Sequence, residues 1–231
     1  MDAVPGPPWS PKVVIFDVFN TLVQPRTGHE ETFALGLSRY GVAGVADALL
    51  RLQQLSEAFD HTPHSASRET YEQWARAALS RILPGIDVDD PAVIPALEQL
   101  HQAPMEPRPG VLALLDVLQR RGVRLAACSN WGWDLETDLA GCGLAERFDV
   151  LVTSARAGVR KPHPGIYRHV LTACACAPHE ALFVGDSLTS DVEGPLAVGI
   201  PAVHLVHRGA SAARWWIGSL ADLPALLAAP A

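Results

Sequence analysis

The chain of 231 residues has no apolar run approaching the roughly 20 residues that a membrane-spanning helix needs. Its N-terminal stretch, MDAVPGPPWSPK, lacks the apolar core of a signal peptide. Basic residues are few and scattered, 18 against 25 acidic ones, and the net charge of -7 argues against a nucleic-acid-binding surface. We therefore expect a cytoplasmic protein that acts on a small molecule, without a membrane or nucleic-acid partner. The sequence leaves a homodimer open.

Cysteine is scarce, and its pattern excludes the usual zinc site. The four residues form no Cys-x-x-Cys pair and have no histidines at ligand spacing. We interpret them as reduced thiols of the core; they are Cys128, Cys142, Cys174 and Cys176. Cys128 could be mistaken for a nucleophile, but it completes the apolar run 123–127, where a buried and inert thiol is the commoner case.

The pattern of elements changes twice along the chain. A strand is predicted over 12–18, where the apolar run VVIF is bounded by turn-forming residues. No convincing strand follows until after residue 101, and helical periodicity predicts four helices separated by Gly, Pro or polar breaks. They span 30–40, 45–59, 67–83 and 91–102. This stretch is predicted to be a compact all-helical insertion.

From residue 109 onward, predicted helices and strands alternate. The strands are expected over 123–128, 148–152, 181–184 and 202–206, and the helices over 110–121, 134–141, 165–171, 189–198 and 219–229. Such repeated units predict an α/β fold with a doubly wound parallel sheet and right-handed crossovers. We expect 1–25 and 104–231 to form this core domain and 26–103 to form the helical insertion.

Three polar side chains follow apolar strands: Asp17, Ser129 and Asp186. Because the carboxyl ends of parallel strands meet at one edge of a sheet, we expect these residues to converge although they are far apart in sequence. A carboxylate at that edge is well placed for chemistry, so Asp17 is the leading candidate for a catalytic residue.

Four motifs in a fixed order resemble those of the haloacid dehalogenase (HAD) superfamily. They are FDVFNTLV at 16–23, ACSN at 127–130, RKPHP at 160–164 and VGDSLTSD at 184–191. The resemblance covers roughly 12–23 and 107–206. It implies a Rossmann-like hydrolase core, and it implies that the helical insertion acts as a cap that closes over the active site.

The resemblance also implies roles for individual residues. Asp17 would be the nucleophile, and Ser129 with Asn130 would contact a phosphoryl oxygen of the substrate. Lys161, one of only two lysines in the chain, would balance the negative charge of the nucleophile and the transferring group. Together these residues form the predicted catalytic set.

A Mg²⁺ site is implied by the fourth motif. Asp186 would bind the ion directly, and Asp191 would act through a water molecule or orient Lys161. Asp17 and the backbone carbonyl of Phe19 would complete the ligand set, a role for residue 19 that tolerates any side chain. A divalent cation and a fixed ammonium would remove most of the repulsion between a carboxylate and a phosphoryl group.

Phe19 departs from the family's phosphatases, which read Asp-x-Asp-x-Thr and use the second Asp as general acid. An aromatic residue at this place resembles the L-2-haloacid dehalogenases, Asp-x-Tyr-Gly-Thr, which expel halide and need no Mg²⁺. The fourth motif favours a phosphatase, because Asp186 and Asp191 would otherwise be uncompensated buried charges. We predict a Mg²⁺-dependent phosphatase of a small phosphorylated metabolite that forms an aspartyl-phosphate; a dehalogenase and a non-catalytic binding protein are the alternatives.

Three further residues near the motifs have a structural interpretation. Trp131 and Trp133 follow the second motif and are expected to cover the start of a helix, with a wall of the substrate site as the alternative. His163 lies in the third motif and is expected to cap a helix rather than to take part in catalysis.

Overall fold

The structure, a computed structural model, describes residues 10–26, 67–82, 85, 87, 89–91 and 105–227. The chain divides into two compact units, one made of Met1–Gln24 with Pro107–Ala231 and the other of Pro25–Glu106. The first unit contains the large sheet and every residue of the four motifs. The second contributes one described helix, α1 (Arg68–Ile82), which confirms the helix predicted over 67–83. The predicted helices 30–40 and 45–59, and 91–102 beyond residue 91, lie outside the described residues.

Eight strands are described. They are β1 (Val13–Phe16), β2 (Val23–Pro25), β3 (Met105–Pro107), β4 (Arg124–Ser129), β5 (Val150–Thr153), β6 (Ala181–Gly185), β7 (Ala202–Leu205) and β8 (Trp216–Ile217). Strands β2 and β3 pair with each other. The other six form one parallel sheet in the order β5-β4-β1-β6-β7-β8, which confirms the predicted α/β class.

The central strand β1 is buried on both faces, as its unbroken apolar run predicts. Its neighbours are β4 and β6, with Phe16 paired to Ala127 on one side and to Val184 on the other. This register brings the loops that follow β1, β4 and β6 to the same edge of the sheet. The strands missed from sequence, β2, β3 and β8, have only two or three residues, too few to show a period.

Helices flank the sheet. After α1 they are α2 (Val111–Arg120), α3 (Leu135–Gly141), α4 (Ser154–Ala157), α5 (Pro164–Cys174), α6 (Gly194–Leu196) and α7 (Leu223–Leu226). One core cluster joins Val13 and Ile15 of β1 to Ile166 and Val170 of α5. The alternating residues of β1 point to the opposite face. None of the helices in the described ranges is long and apolar enough to cross a membrane.

Two predicted helices differ from those observed. The segment predicted as one helix over 189–198 is a π-helical turn, Leu188–Glu193, followed by the short α6. The C-terminal helix predicted over 219–229 is a 3₁₀ turn, Leu220–Asp222, followed by the four-residue α7, and the chain is described only to residue 227.

The cysteines are all free thiols, and two of them are fully buried, Cys128 and Cys174. Cys142 and Cys176 are partly exposed, but Cys176 packs against the core cluster, so the prediction of four core thiols was wrong only for Cys142. Burial raises the pKa of Cys128 to about 12, which makes the nucleophilic thiolate inaccessible near neutral pH. The interpretation of Cys128 as an inert thiol is confirmed.

Candidate active site

The predicted site residues gather at the carboxyl edge of the sheet. Asp17 follows β1, Ser129 ends β4 and Asp186 follows β6. Asp191 lies in the π-helical turn after β6, and Lys161 lies in the loop before α5. Asp17, Asp186 and Asp191 bring carboxylate oxygens within 4.8 Å of one another. The structure therefore unites residues that are up to 174 positions apart in the sequence.

Lys161 lies between two of these carboxylates. Its Nζ is 2.6 Å from Oδ1 of Asp17 and 2.6 Å from Oδ1 of Asp191, and its side chain is 3% exposed. The ring of Phe183 adds a cation–π contact at 5.3 Å. Because three groups hold the ammonium, its position beside the predicted nucleophile is fixed before any substrate arrives.

Asn130 holds the backbone of this lysine. Its Nδ2 donates to the carbonyl of Lys161 at 3.0 Å, and its Oδ1 accepts from the backbone N–H of Lys161 at 2.7 Å. Both ends of the amide are thus engaged. The side chain of Asn130 therefore fixes the loop that carries Lys161, and its contact with substrate stays a prediction.

The hydroxyl of Ser129 points at Asp17, the predicted nucleophile. Its Oγ donates to Oδ1 of Asp17 at 3.0 Å. Within the described part of the chain, the side chains of Ser129 and Lys161 both bind Asp17 through Oδ1. This pattern orients the carboxylate and leaves Oδ2 as the oxygen that can attack a substrate.

Asp186 is half-buried and has two supports that sequence reasoning missed. The hydroxyl of Thr21 donates to its Oδ1 at 3.2 Å, and Thr21 lies in the first motif. The carbonyl of Asp186 accepts from Nε2 of His204 at 2.9 Å, while Nδ1 of His204 lies 2.6 Å from Oγ of Ser211. Nothing in the spacing of His204 to the motifs indicated this contact.

Asp191 is 1% exposed and is held by the turn that contains it. Its Oδ2 accepts from the backbone N–H of Ser187 at 2.9 Å. Gly185 packs directly against this carboxylate: a Cβ at Gly185 would lie 2.4 Å from both Cγ and Oδ2 of Asp191. The glycine of the fourth motif is required by this close approach.

The same turn is anchored from the helix side. Tyr167 of α5 donates its hydroxyl to the carbonyl of Ser190 at 2.5 Å. A Cβ at Gly194 would lie 2.2 Å from that hydroxyl oxygen, so Gly194 makes room for the tyrosine. Two glycines and one tyrosine therefore define the path of the turn that presents Asp191.

Adding one methyl group at Gly185 should dislodge Asp191. We expect Gly185→Ala to lower the free energy of unfolding by about 1–3 kcal/mol through overpacking. We expect activity to fall by about 10²-fold through misplacement of Asp191 and Lys161. Gly141→Ala is the matched control, because a Cβ there meets no atom within 4 Å. Urea unfolding and turnover of both variants check this; equal behaviour of the two variants would contradict the packing argument.

The cluster is short of positive charge. The cluster holds three carboxylates and one ammonium, that of Lys161, which binds Asp17 and Asp191, so the formal excess is two negative charges. Burial raises the pKa of Asp191 to about 6, although Lys161 opposes this shift. Burial and the nearby Asp17 raise the pKa of Asp186. Burial alone would lower the pKa of Lys161, but Asp17 and Asp191 raise it above its ordinary value. The pKa values of all three groups are therefore raised above their ordinary values.

These residues could hold a divalent metal ion. The described side-chain cluster offers carboxylate oxygens and no sulfur or imidazole nitrogen, a donor set suited to a hard cation such as Mg²⁺ rather than to zinc. Such an ion would offset the two excess negative charges. The fourth predicted ligand, the carbonyl of Phe19, stays a prediction.

Phe19 and Trp131 are neighbours at the same edge. The side chain of Phe19 is 41% exposed, and its ring centroid lies 6.4 Å from that of Trp131. The indole N–H of Trp131 donates to Oδ2 of Asp138 in α3 at 2.8 Å. Trp131 therefore braces the following helix, as expected, and also adjoins the residue two positions after the nucleophile.

His163 and Trp133 take part in structural contacts. His163 caps α5, because its Nδ1 accepts from the backbone N–H of Gly165 at 3.1 Å, which confirms the predicted cap. The carbonyl of Trp133 accepts from the guanidinium of Arg156 in a loop contact after the second motif.

Comparison with known proteins agrees with this geometry. The sequence model of the haloacid dehalogenase-like hydrolases matches residues 11–199. The chain is 32% identical over 200 residues to human haloacid dehalogenase-like hydrolase domain-containing protein 3, covering 82% of this chain and 79% of that protein. It is also 32% identical over 201 residues to the phosphoglycolate phosphatase of Rhodospirillum rubrum, covering 84% of this chain and 78% of that protein.

A solved structure shows the same fold. The L-2-haloacid dehalogenase of Xanthobacter autotrophicus, with chloropropionic acid covalently bound, superposes with a TM-score of 0.71 at 20% identity, covering 94% of this chain and 98% of that one. At this identity the likeness concerns the fold alone. The family match over most of the chain, joined to the catalytic geometry at the sheet edge, leads to one conclusion: the chain belongs to the haloacid dehalogenase-like hydrolases.

Proposed function

We propose that this hydrolase is a Mg²⁺-dependent phosphatase that acts on a small phosphorylated metabolite through an aspartyl-phosphate on Asp17. The observation that carries the proposal is the position of Asp17 beside Lys161 in a cluster with two excess negative charges. The similarity over 84% of the chain to a phosphoglycolate phosphatase supports the same reaction class.

Asp17, Asp186, Asp191 and the carbonyl of Phe19 would hold the ion. A bound Mg²⁺ supplies charge neutralisation for the attacking carboxylate and the phosphoryl oxygens. The chain's own residues would supply the rest, and Lys161 would bring the second positive charge to the same place. This division accounts for a cluster of three carboxylates with one ammonium, which binds two of them.

The proposed reaction has two displacements at phosphorus. In the first, Oδ2 of Asp17 attacks the phosphorus atom, a new P–O bond forms, and the bond to the leaving oxygen breaks. In the second, a water oxygen attacks the same phosphorus, the P–O bond to Asp17 breaks, and inorganic phosphate leaves. Splitting one hard hydrolysis into two steps lowers the barrier of each.

Ser129 and Lys161 would position the transferring group. The Ser129 hydroxyl, now donated to Asp17, can turn toward a phosphoryl oxygen when substrate arrives, because a hydroxyl rotates freely about its C–O bond. The ammonium of Lys161 is already fixed by two carboxylates. Donors that are aligned before the reaction stabilise its transition state without reorganisation.

One observation favours the second candidate, an L-2-haloacid dehalogenase. Phe19 gives the leaving group an apolar neighbour and no proton, which suits a departing halide. Such an enzyme would use Asp17 without a metal ion. It would leave Asp186 and Asp191 without a catalytic task, and for this reason we rank it below the phosphatase. A non-catalytic protein of this fold would show neither reaction.

The test measures two products under two conditions. With p-nitrophenyl phosphate, we expect phosphate release in Mg²⁺, loss of that release in excess EDTA, and its recovery when Mg²⁺ is restored. With 2-chloropropionate, we expect no halide release in either condition. Halide release that persists in EDTA would assign the chain to the dehalogenases. Silence in both assays, from a protein shown to be folded, would favour the non-catalytic alternative.

A further inference from the structure

Two aromatic side chains border the nucleophile. Phe19 lies two residues after Asp17, and Trp131 lies two residues after Ser129. Ser129 donates to Asp17 at 3.0 Å, so the loop that carries Phe19 and the loop that carries Trp131 begin side by side at the edge of the sheet. Their rings are 6.4 Å apart, and Phe19 is 41% exposed. The exposed ring of Phe19 offers a face on which a flat apolar group can pack.

This aromatic pair is held in place. The indole N–H of Trp131 is bound to Asp138, and its backbone N–H donates to Oγ of Ser154 at 3.1 Å. The ring is therefore oriented without substrate, which lowers the entropy cost of using its face for binding. Its only side-chain donor is engaged, so Trp131 cannot deliver a proton to a leaving group.

His207 contacts the loop after Asp17 and is a candidate substitute for the missing acid, but both of its ring nitrogens are engaged. Its Nε2 lies 2.8 Å from the carbonyl of Asn20, so Nε2 is the donor. Its Nδ1 lies 3.2 Å from the guanidinium of Arg108, so Nδ1 is the acceptor. This histidine ties down the loop after Asp17. Among the residues that the structure describes around Asp17, we find no side chain poised to protonate a leaving oxygen.

We propose that the aromatic pair Phe19 and Trp131 selects aryl phosphates, that is, phosphate monoesters whose leaving group is an acidic hydroxyl carried on a flat apolar ring. The assignment rests on the proposed phosphatase function and names its substrate class. When Asp17 attacks phosphorus, the P–O bond to the aryl group breaks and the electron pair leaves with the oxygen as an aryloxide. The aryloxide takes its proton from solvent after it departs. Water then releases phosphate from Asp17.

The acidity of the leaving group explains why aryl phosphates suit a site without a general acid. A phenol has a pKa of about 10, far below the pKa of about 15.7 of water, and alkanols resemble water. An aryloxide therefore departs without help, whereas an alkoxide needs a general acid whose contribution is roughly 10²- to 10⁴-fold. The ring that makes the oxygen acidic is also the group that can pack on Phe19 and Trp131.

Four substrates separate the two requirements. Phenyl phosphate has a ring and a good leaving group, and benzyl phosphate has a ring and a poor one. Acetyl phosphate has no ring and a good leaving group, and ethyl phosphate has neither. With Mg²⁺, we expect kcat/KM for phenyl phosphate to exceed that for benzyl phosphate by about 10²-fold or more, and kcat/KM for acetyl phosphate to exceed that for ethyl phosphate similarly. This ratio reports departure of the leaving group, whereas the hydrolysis of phosphorylated Asp17 is common to all four substrates. We expect KM to be lower for the two ring substrates.

Variants at Trp131 and Phe19 test the two parts of the proposal separately, namely binding of the substrate ring and the lack of a proton donor for the leaving group. Trp131→Ala should raise KM for phenyl and benzyl phosphate by roughly three- to tenfold and leave KM for acetyl and ethyl phosphate unchanged. Trp131→Phe keeps a ring and should behave like the native protein, which controls for the lost bond to Asp138. Phe19→Asp should raise kcat for benzyl phosphate more than for phenyl phosphate, because it restores a proton donor.

Each outcome has one meaning. The pattern above supports the assignment. Equal kcat/KM for phenyl and benzyl phosphate, or a Trp131→Ala variant that changes all four KM values alike, would overturn the aryl class while the phosphatase function stands. Absence of phosphate release from all four substrates, in a folded protein with Mg²⁺, would overturn the proposed function and the aryl class together.

Discussion

Asp17→Asn is expected to abolish turnover while the protein stays folded. The amide cannot attack phosphorus as a carboxylate does, and loss of a nucleophile typically lowers kcat on the order of 10⁴-fold or more. The replacement also removes one of three carboxylates around a single ammonium. Because Lys161 keeps Asp191 at 2.6 Å, the metal-free variant should melt at the same temperature as the native protein or above it.

The control for Asp17→Asn is the same change at the surface. Asp116 forms an ion pair with Arg147, and its side chain is 41% exposed. Asp116→Asn should leave kcat unchanged. Steady-state rates and thermal melting in EDTA measure both variants. Undiminished activity of Asp17→Asn would show that Asp17 is not the nucleophile. A large drop in the melting temperature of this variant would contradict the claim that excess negative charge destabilises the metal-free cluster.

Lys161→Met is expected to cause the second large effect, and here stability falls as well. The change leaves Asp17 and Asp191 buried without their cation, and breaking a buried pair in this way costs about 3–5 kcal/mol. We expect kcat to fall by about 10²- to 10³-fold, the usual loss when one fixed electrostatic group is removed. Methionine is similar in length, so these losses would reflect charge rather than a cavity.

The destabilisation by Lys161→Met should depend on pH. Burial already raises the pKa of Asp191 to about 6, and removal of the ammonium takes away the group that opposes this shift. The folded variant then binds more protons than its unfolded chain. Its stability, measured in EDTA, is retained at low pH and lost as the pH rises through the raised value. Urea unfolding at about pH 5 and about pH 8 should therefore show the larger deficit at the higher pH.

The chain's other lysine provides a matched control. Lys12 pairs with Glu180, and its side chain is 73% exposed. Lys12→Met should leave kcat unchanged, and stability should differ little from native at either pH, because exposed pairs are screened by water. A pH-independent loss in Lys161→Met, or an equal loss in Lys12→Met, would contradict the role given to the buried ammonium.

Much of the site could be predicted from the sequence because a parallel sheet places strand ends together. Asp17, Ser129 and Asp186 were each recognised from the apolar strand that precedes them. Lys161 and Asp191 came from the motifs rather than from strand ends, and the structure brings both to the same cluster. Strand β1 and its register with β4 and β6 determine this outcome.

Other features depended on contacts that no local pattern contains. The amide of Asn130 is engaged by the backbone of Lys161, 31 positions away. His204 supports Asp186 from the neighbouring strand β7, and only the sheet order brings them together. The π-helical turn differs from the regular helix predicted there because Gly185 and Tyr167 fix its path by close packing.

The same reasoning applies to Phe19. The sequence shows that a proton donor is missing from position 19, which follows from the motif alone. It does not show that the exposed ring of Phe19 lies beside Trp131, because that contact joins loops that are more than a hundred residues apart. The proposed preference for aryl phosphates therefore rests on a contact that the structure, and not the sequence, provides.

The phosphorylated intermediate is the central claim, and trapping it is the most direct measurement. The native protein would be mixed with excess phenyl phosphate and Mg²⁺, quenched in acid within one turnover, digested and analysed by mass spectrometry. We predict one phosphoryl group on the peptide that contains Asp17, absent from the Asp17→Asn variant. Phosphate found instead on Ser129, whose hydroxyl lies 3.0 Å from Asp17, or turnover without any labelled peptide, would contradict the account.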